Sequence, residues 1–261
     1  MDELKLYKTF PFPTQKKIKL NESGLPSWSD CNTEQWGKYY FSYDVGQTFR
    51  ELYKPNTKLN KKFTDFWLKV ASRFRGNKYV IGYELINEPF VGNAIRDIAL
   101  VIPSVAEKVH FQEFYDRLAV KIREVDSDTL IFFEPITFDN DIPVGFSHPP
   151  GGFVNQNKSV LAYHYYHPPA LNLKTITARI KDGERLKIPS FLSEFGTHDS
   201  EVLDLAQKYQ QSWLYWEYKN FGKNWGASAS YFSFSKNKLE DYQDNGVDEN
   251  RTMTYLQRIA G

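Results

Sequence analysis

Residues 79–89 read YVIGYELINEP. The apolar run Tyr79 to Ile86 stops at Asn87-Glu88-Pro89. A short, nearly continuous apolar stretch bounded by a turn signal is the pattern of a strand buried on both faces. The glutamate that closes it then stands at the carboxyl end of a parallel strand, where α/β barrels keep their chemistry. The stretch 188–196, IPSFLSEFG, repeats the theme: an apolar run closes on Ser193-Glu194-Phe195-Gly196. Two strand-end carboxyls, with an asparagine before the first, imply the paired acids of a retaining glycosidase.

Outward from these two strands, helix and strand signals alternate. A helix is predicted from Lys61, with Phe63, Phe66, Trp67, Val70 and Phe74 at helical spacing and Gly76 placed to end it. After the strand at 79–86 comes a helix over roughly 104–125, with Val109, Phe114, Leu118 and Ile122 on one face. The strand at 129–133 ends in Glu134-Pro135, and 136–158 reads as a loop containing Pro149-Pro150-Gly151-Gly152. Then follow a strand at 159–165, a helix near 173–183, a strand at 188–193, a helix near 201–210 and a strand near 212–217. Residues 1–60 read as irregular, and the whole of 1–261 as one domain. This alternation is that of a parallel sheet covered by helices. It supplies about five strands, whereas a closed barrel of this type needs about eight.

Composition narrows the function classes. The chain carries 33 basic and 32 acidic residues, a net charge of +1. That balance gives no reason to expect nucleic acid or an anionic membrane surface as partner. Aromatic residues make up 16% of the chain, including 6 Trp and 17 Tyr, which fits a sugar-stacking site and equally a tyrosine-rich core. Cys31 is the single cysteine, so neither an internal disulfide nor a cysteine metal site is available. No apolar run approaches the ~18 residues of a transmembrane helix. The opening MDELKLYKTFPFP has early acids and no apolar centre, so it does not read as a signal peptide.

Six ordered segments carry a family resemblance: GYELINEPFVGN at 82–93, FFEPITFD at 132–139, VGFSHPPGG at 144–152, SVLAYHYYHPP at 159–169, FLSEFGTH at 191–198 and SWLYWEYKNF at 212–221. The chain resembles glycoside hydrolase family 5, and within it the endoglycoceramidases and related glycosylceramidases, from about Leu25 to Gly261. The resemblance implies a TIM-type (β/α)8 barrel that is incomplete, with strands four to eight present and strands one to three missing. It also implies hydrolysis of the β-glucosidic linkage between a sugar and ceramide, with no cofactor and no metal. Glycolipid or oligosaccharide is then the partner, with transient contact with lipid. Relatives of this kind work in extracellular, lysosomal or secretory settings.

Carried over residue by residue, Glu88 is the acid/base, which first gives a proton to the leaving oxygen and later takes one from water. Glu194 is the nucleophile, held ionised by hydrogen bonds. Asn87 would bond the sugar 2-OH, or else merely form the turn before Pro89. Tyr166 would bond the nucleophile and His164 hold the network, unless His164 is a satisfied core histidine. Trp216 would be the sugar platform with Trp213 facing the core, a pair whose roles could be exchanged. Trp28 resembles a loop tryptophan that lines the sugar site, though an exposed loop position is an equal reading. Glu134, a third strand-end acid, has no ligand-spaced His or Asp beside it and reads as structural or substrate-contacting. Phe90, Val91, Phe138, Phe146 and Pro149-Pro150 lie on loops that would suit a ceramide tail. Two other readings stay open: a catalytically silent, glycolipid-binding remnant, and a β-glucanase or β-glucosidase of the same family.

Overall fold

The computed structural model describes Glu22 and residues 40–136, 141–167, 170, 172–196, 200–216, 219–221 and 244–247. Its centre is a parallel sheet whose five strands lie in chain order: β1 (Gly82–Glu84), β2 (Leu130–Phe133), β3 (Ser159–Tyr165), β4 (Ser190–Phe195) and β5 (Ser212–Trp213). Every neighbouring pair runs parallel. Helices α1 (Tyr43–Tyr53), α2 (Lys58–Phe74), α3 (Gln112–Arg123), α4 (Lys174–Leu186) and α5 (Ser200–Lys208) complete the strand-helix alternation. This is part of an α/β barrel. A separate antiparallel pair joins β6 (Lys219–Phe221) to β7 (Asp244–Val247). No helix among the described residues is long and apolar enough to cross a membrane.

Among the described residues, two apolar cores lie between sheet and helices. Tyr83 and Leu85 of the first strand segment pack with Ile131 and Phe133 against α1, α2 and α3. Tyr163, Tyr165, Leu192 and Phe195 pack against α4 and α5. The opposite face of the sheet carries a smaller cluster of Phe132, Val160 and Ala162, flanked by Leu130 and Phe191. Strand residues therefore alternate between a helix-facing core and the barrel interior, as the two-residue period of a strand requires.

Several sequence expectations are corrected. The stretch before residue 60 is not wholly irregular, because α1 forms there. The Ser42 hydroxyl caps it by accepting the Val45 N–H at 3.3 Å. Gly46 lets this helix sit against the loop after β1: a Cβ there would stand 2.8 Å from the Gly92 carbonyl oxygen. Helix α2 starts at Lys58, with Thr57 accepting from the Asn60 N–H at 3.1 Å. Trp67 and Ala71 are its buried residues, whereas Phe66 and Phe74 are exposed. Gly76 follows it with φ +71°, the left-handed stop a glycine permits.

The helix expected from 104 opens with a π-helical turn, Glu107–Phe111. The wider turn breaks the 3.6-residue phase, so Val109 points out while Phe111, Phe114, Tyr115, Leu118 and Ile122 point in. The strand expected at 79–86 pairs only over Gly82–Glu84, and that at 212–217 only over Ser212–Trp213. The loop expected at 136–158 contains a 3-10 helix at Phe153–Lys158. Of the loop residues assigned to a ceramide tail, Phe90, Val91, Phe146, Pro149 and Pro150 are buried and pack the loops. Phe138 lies outside the described residues.

Candidate active site

Glu88 stands just beyond β1, with φ 45°. A left-handed backbone is uncommon for a residue with a side chain and persists where surrounding contacts impose it. Those contacts are present on both sides. The Trp67 indole N–H donates to the Leu85 carbonyl at 3.1 Å, and the Leu85 N–H donates to the Phe132 carbonyl at 3.1 Å. The Tyr53 hydroxyl donates to the Phe90 carbonyl at 2.6 Å, and the Glu88 N–H donates to Glu134 Oε2 at 3.3 Å.

Glu194 reaches the same space by a different device. The register of β3 with β4 runs Tyr163 to Leu192, then jumps, pairing His164 with Glu194. Ser193 is the extra residue of this β-bulge. Strict alternation would send Leu192 and Glu194 to one face. The bulge instead leaves Leu192 and Phe195 in the helix-facing core and puts Glu194 beside His164 on the interior face.

His164 lies between the two glutamates, its side chain 2% exposed. Its Nδ1 is 3.0 Å from Glu88 Oε1 and 3.6 Å from Glu194 Oε2, and its Nε2 is 3.7 Å from Glu134 Oε2. Burial opposes a charge on the ring. The hydrogen bond to Glu88 and the charges of Glu134, Glu194 and Glu88 outweigh it and lift the imidazole pKa to about 9. At neutral pH the ring is therefore a cation among acids. One oxygen each of Glu88 and Glu194, and a His164 nitrogen, lie within 4.8 Å of one another.

The Tyr166 hydroxyl donates to Glu194 Oε2 at 2.8 Å. Burial pushes the Glu194 carboxyl up, and the His164 charge and the Tyr166 hydroxyl work against that rise. Asn87 is exposed next to Glu88. Trp216 is 41% exposed past the end of β5. Trp213 turns the other way, its ring 5.7 Å from that of Phe195 and packed in the helix-facing core. Trp28 lies outside the described residues.

Two side chains that the sequence reading does not name, Glu84 and Tyr40, belong to the site's surroundings together with Glu134, the third strand-end acid. Glu134, at the end of β2, is 1% exposed, and burial lifts its carboxyl to about 8. Glu84 has a carboxylate oxygen within 4.8 Å of Glu134 and His164. The phenol of Tyr40 is pushed up by burial and by the charges of Glu88 and Glu134. The YELINE and FFEP segments carried a signal for Glu84 and Glu134, since both acids interrupt apolar strands. Tyr40 stands just before α1, in a stretch whose sequence shows no sustained periodicity.

Among the described residues, two groups have the spacing to hold a metal ion, Glu84-Glu134-His164 and Glu88-His164-Glu194, so that Glu134 does have a histidine at ligand distance, brought there by the neighbouring strand rather than by sequence spacing. Both require His164 as a neutral ligand. Its charge at neutral pH, fixed by the surrounding carboxyls, favours a proton there instead. What the arrangement can do directly is hold one carboxyl ready to attack while another, a few ångströms away, exchanges a proton.

Residues 32–238 match the model of the cellulase family, glycosyl hydrolase family 5. An endoglycoceramidase of Cyanea nozakii is 39% identical over 266 residues, covering 97% of this chain and 52% of that protein. One of Hydra vulgaris is 40% identical over 265 residues, covering 97% and 50%. The chain thus spans about half the length of the curated relatives it matches. Among solved structures, the lactosyl-enzyme intermediate of endo-glycoceramidase II from Rhodococcus sp. superposes with a TM-score of 0.57 at 25% identity, covering 76% of this chain and 50% of that one.

Proposed function

This chain belongs to glycosyl hydrolase family 5, and on that premise we propose that it is a retaining glycoside hydrolase that cleaves the β-glucosidic bond between sugar and ceramide in glycosphingolipids. The observation that carries the mechanism is the proximity of Glu88 and Glu194, with carboxylate oxygens within 4.8 Å. Retaining enzymes hold their carboxyls roughly 5–5.5 Å apart; inverting ones leave ~6.5–9.5 Å for a water.

In the first step Glu194 attacks the anomeric carbon as the glycosidic bond breaks, and Glu88 gives its proton to the departing ceramide oxygen. In the second, Glu88 takes a proton from water, the water oxygen bonds to the anomeric carbon, and the bond to Glu194 breaks. The cationic His164 ring steadies the negative charge that passes between the two carboxylates. Tyr166 orients Glu194, Asn87 bonds the sugar 2-OH, and Trp216 offers a face to the sugar ring.

The aglycone assignment draws on the two relatives and on one surface feature. The loop leaving Glu88 exposes Ile95, Ile98, Val101 and Ile102. Exposed aliphatic side chains on the segment that follows the acid/base suit a lipid better than a glucan. Release of sugar from fluorescent glucosylceramide and from a ganglioside in detergent, by this chain beside its Glu88→Gln variant, tests the proposal. Turnover that is lost in the variant supports it. A folded chain that binds the lipid without turnover would make it a glycolipid-binding remnant, and turnover of a β-glucan alone would move it to another substrate class.

A further inference from the structure

Glu134 takes no part in either chemical step above, yet it touches both residues that do most to shape the acid/base. Its Oε2 accepts the backbone N–H of Glu88 at 3.3 Å and lies 3.7 Å from His164 Nε2. The Tyr115 hydroxyl fixes the same residue from behind, donating to the Glu134 carbonyl at 2.9 Å. The other carboxyl oxygen, Oε1, is buried with no hydrogen-bond partner among the described residues. Glu134 also lines a cavity of about 10 Å³ shared with His164, Thr175 and Arg179, about the size of one water molecule.

A buried acid with an unsatisfied oxygen is costly, and an amide or an apolar side chain would fill the position at lower cost. Its geometry gives a reason for the acid. The bond to the Glu88 N–H is one of the contacts imposing the left-handed turn that points Glu88 at His164. The approach to Nε2 places a carboxyl on the side of the ring opposite Glu88 and Glu194.

Resting on the retaining-hydrolase reading, we propose that Glu134 is a positioning residue for the acid/base: it clamps the backbone of Glu88 and seats the His164 ring between the two glutamates. The groups facing His164 are Glu84 and Glu88 from the β1 end, Glu134 from β2, Tyr166 from its own strand end, Glu194 from β4 and Arg179 from α4. Glu134 is the carboxyl set against Nε2 and the backbone of Glu88 together. Burial lifts its carboxyl to about 8, so Glu134 ionises before His164 loses its proton, and its charge then helps hold that proton on the ring.

The test is the titration of His164 by 15N NMR in the full chain, in Glu134→Gln and in Glu134→Leu, with the signal assigned by its loss in His164→Gln. Fold is checked by circular dichroism and melting. Glutamine can still accept from the Glu88 N–H but cannot ionise, so the His164 midpoint falls below its value of about 9 while kcat drops little. Leucine removes both contacts, so kcat falls about tenfold or more with KM nearly unchanged, and the alkaline limb of the pH–rate profile moves to lower pH. A His164 midpoint in Glu134→Gln equal to that of the parent overturns the proposal, as does full kcat in a folded Glu134→Leu. If the parent itself shows no turnover, the hydrolase reading fails, and the NMR midpoint still decides whether Glu134 sets the charge of His164.

Discussion

Replacing Tyr166 by phenylalanine removes one hydroxyl and a single 2.8 Å bond to Glu194 Oε2. A hydrogen bond to a charged acceptor contributes about 1.5–3 kcal/mol. Its kinetic effect depends on when Glu194 is charged. In the first step Glu194 loses charge as it attacks, so the bond weakens toward the transition state. In the second step Glu194 is the leaving group and regains charge, so the bond strengthens. Loss of the hydroxyl therefore slows breakdown of the glycosyl-enzyme by up to roughly 10- to 150-fold, at 1.36 kcal/mol per factor of ten, and does not slow its formation. The same hydroxyl opposes the upward push of burial on the Glu194 carboxyl, so the acid limb of the pH–rate profile also moves to higher pH. A dinitrophenyl β-glycoside gives a direct assay: the variant releases a burst of dinitrophenolate approaching one equivalent per chain, followed by a slow steady state. A variant with parental kcat, no burst and an unmoved acid limb would refute both the nucleophile assignment and the role of Tyr166.

Three further outcomes follow from the same geometry. Glu88→Gln loses activity toward a glycolipid, whose leaving oxygen needs a proton, but forms glycosyl-enzyme from the dinitrophenyl glycoside at near-parental rate, measurable as the burst phase. Gly145→Ala drives a Cβ into the Ser104 carbonyl oxygen. Overpacking of that kind destabilises by about 1–3 kcal/mol, readable as a lower urea midpoint. Asp126 accepts from Thr129, Tyr83 and Asp128, which outweigh its burial and hold its carboxyl at about 2. Its folded pKa is depressed, so its contribution is complete above the unfolded value and is lost as pH falls from about 4 toward 2. The difference between parent and Asp126→Asn, on the order of 2 kcal/mol at neutral pH, should shrink across that window in denaturant titrations.

The sequence made the strands and their terminal acids legible because a strand buried almost throughout, as β3 is, leaves a near-continuous apolar run. The run at 79–86 is not buried on both faces, since Tyr79, Ile81 and Glu84 are exposed and only Tyr83 of β1 is buried, yet the carboxyl that follows it is conspicuous all the same. Features that break periodicity were not legible. The Ser193 bulge adds one residue within an apolar strand, and residue types alone do not mark which face Glu194 takes. The π turn at Glu107–Phe111 likewise moved Val109 off the face that regular helical spacing gave it. Helix α1 was hidden by Gly46, a poor helix former kept by its approach to the Gly92 carbonyl; Ser42 as N-cap and the spacing of Phe49, Leu52 and Tyr53 were the available signals. Glu134 was visible as an acid. Its contact with the Glu88 N–H depends on the register that sets β1 beside β2, which no residue type reveals.

The central claim is that Glu194 becomes covalently bonded to the sugar while Glu88 manages the proton. Incubation of the chain with an activated 2-deoxy-2-fluoro β-glycoside, followed by proteolysis and mass spectrometry, tests it most directly, because the fluorine slows breakdown of the intermediate. The account predicts one fluoroglycosyl group per chain, located on Glu194 in the peptide containing Ser193-Glu194-Phe195. A label on Glu88 or elsewhere, or hydrolysis of the glycoside with no covalent adduct and with inversion at the anomeric carbon, would contradict it.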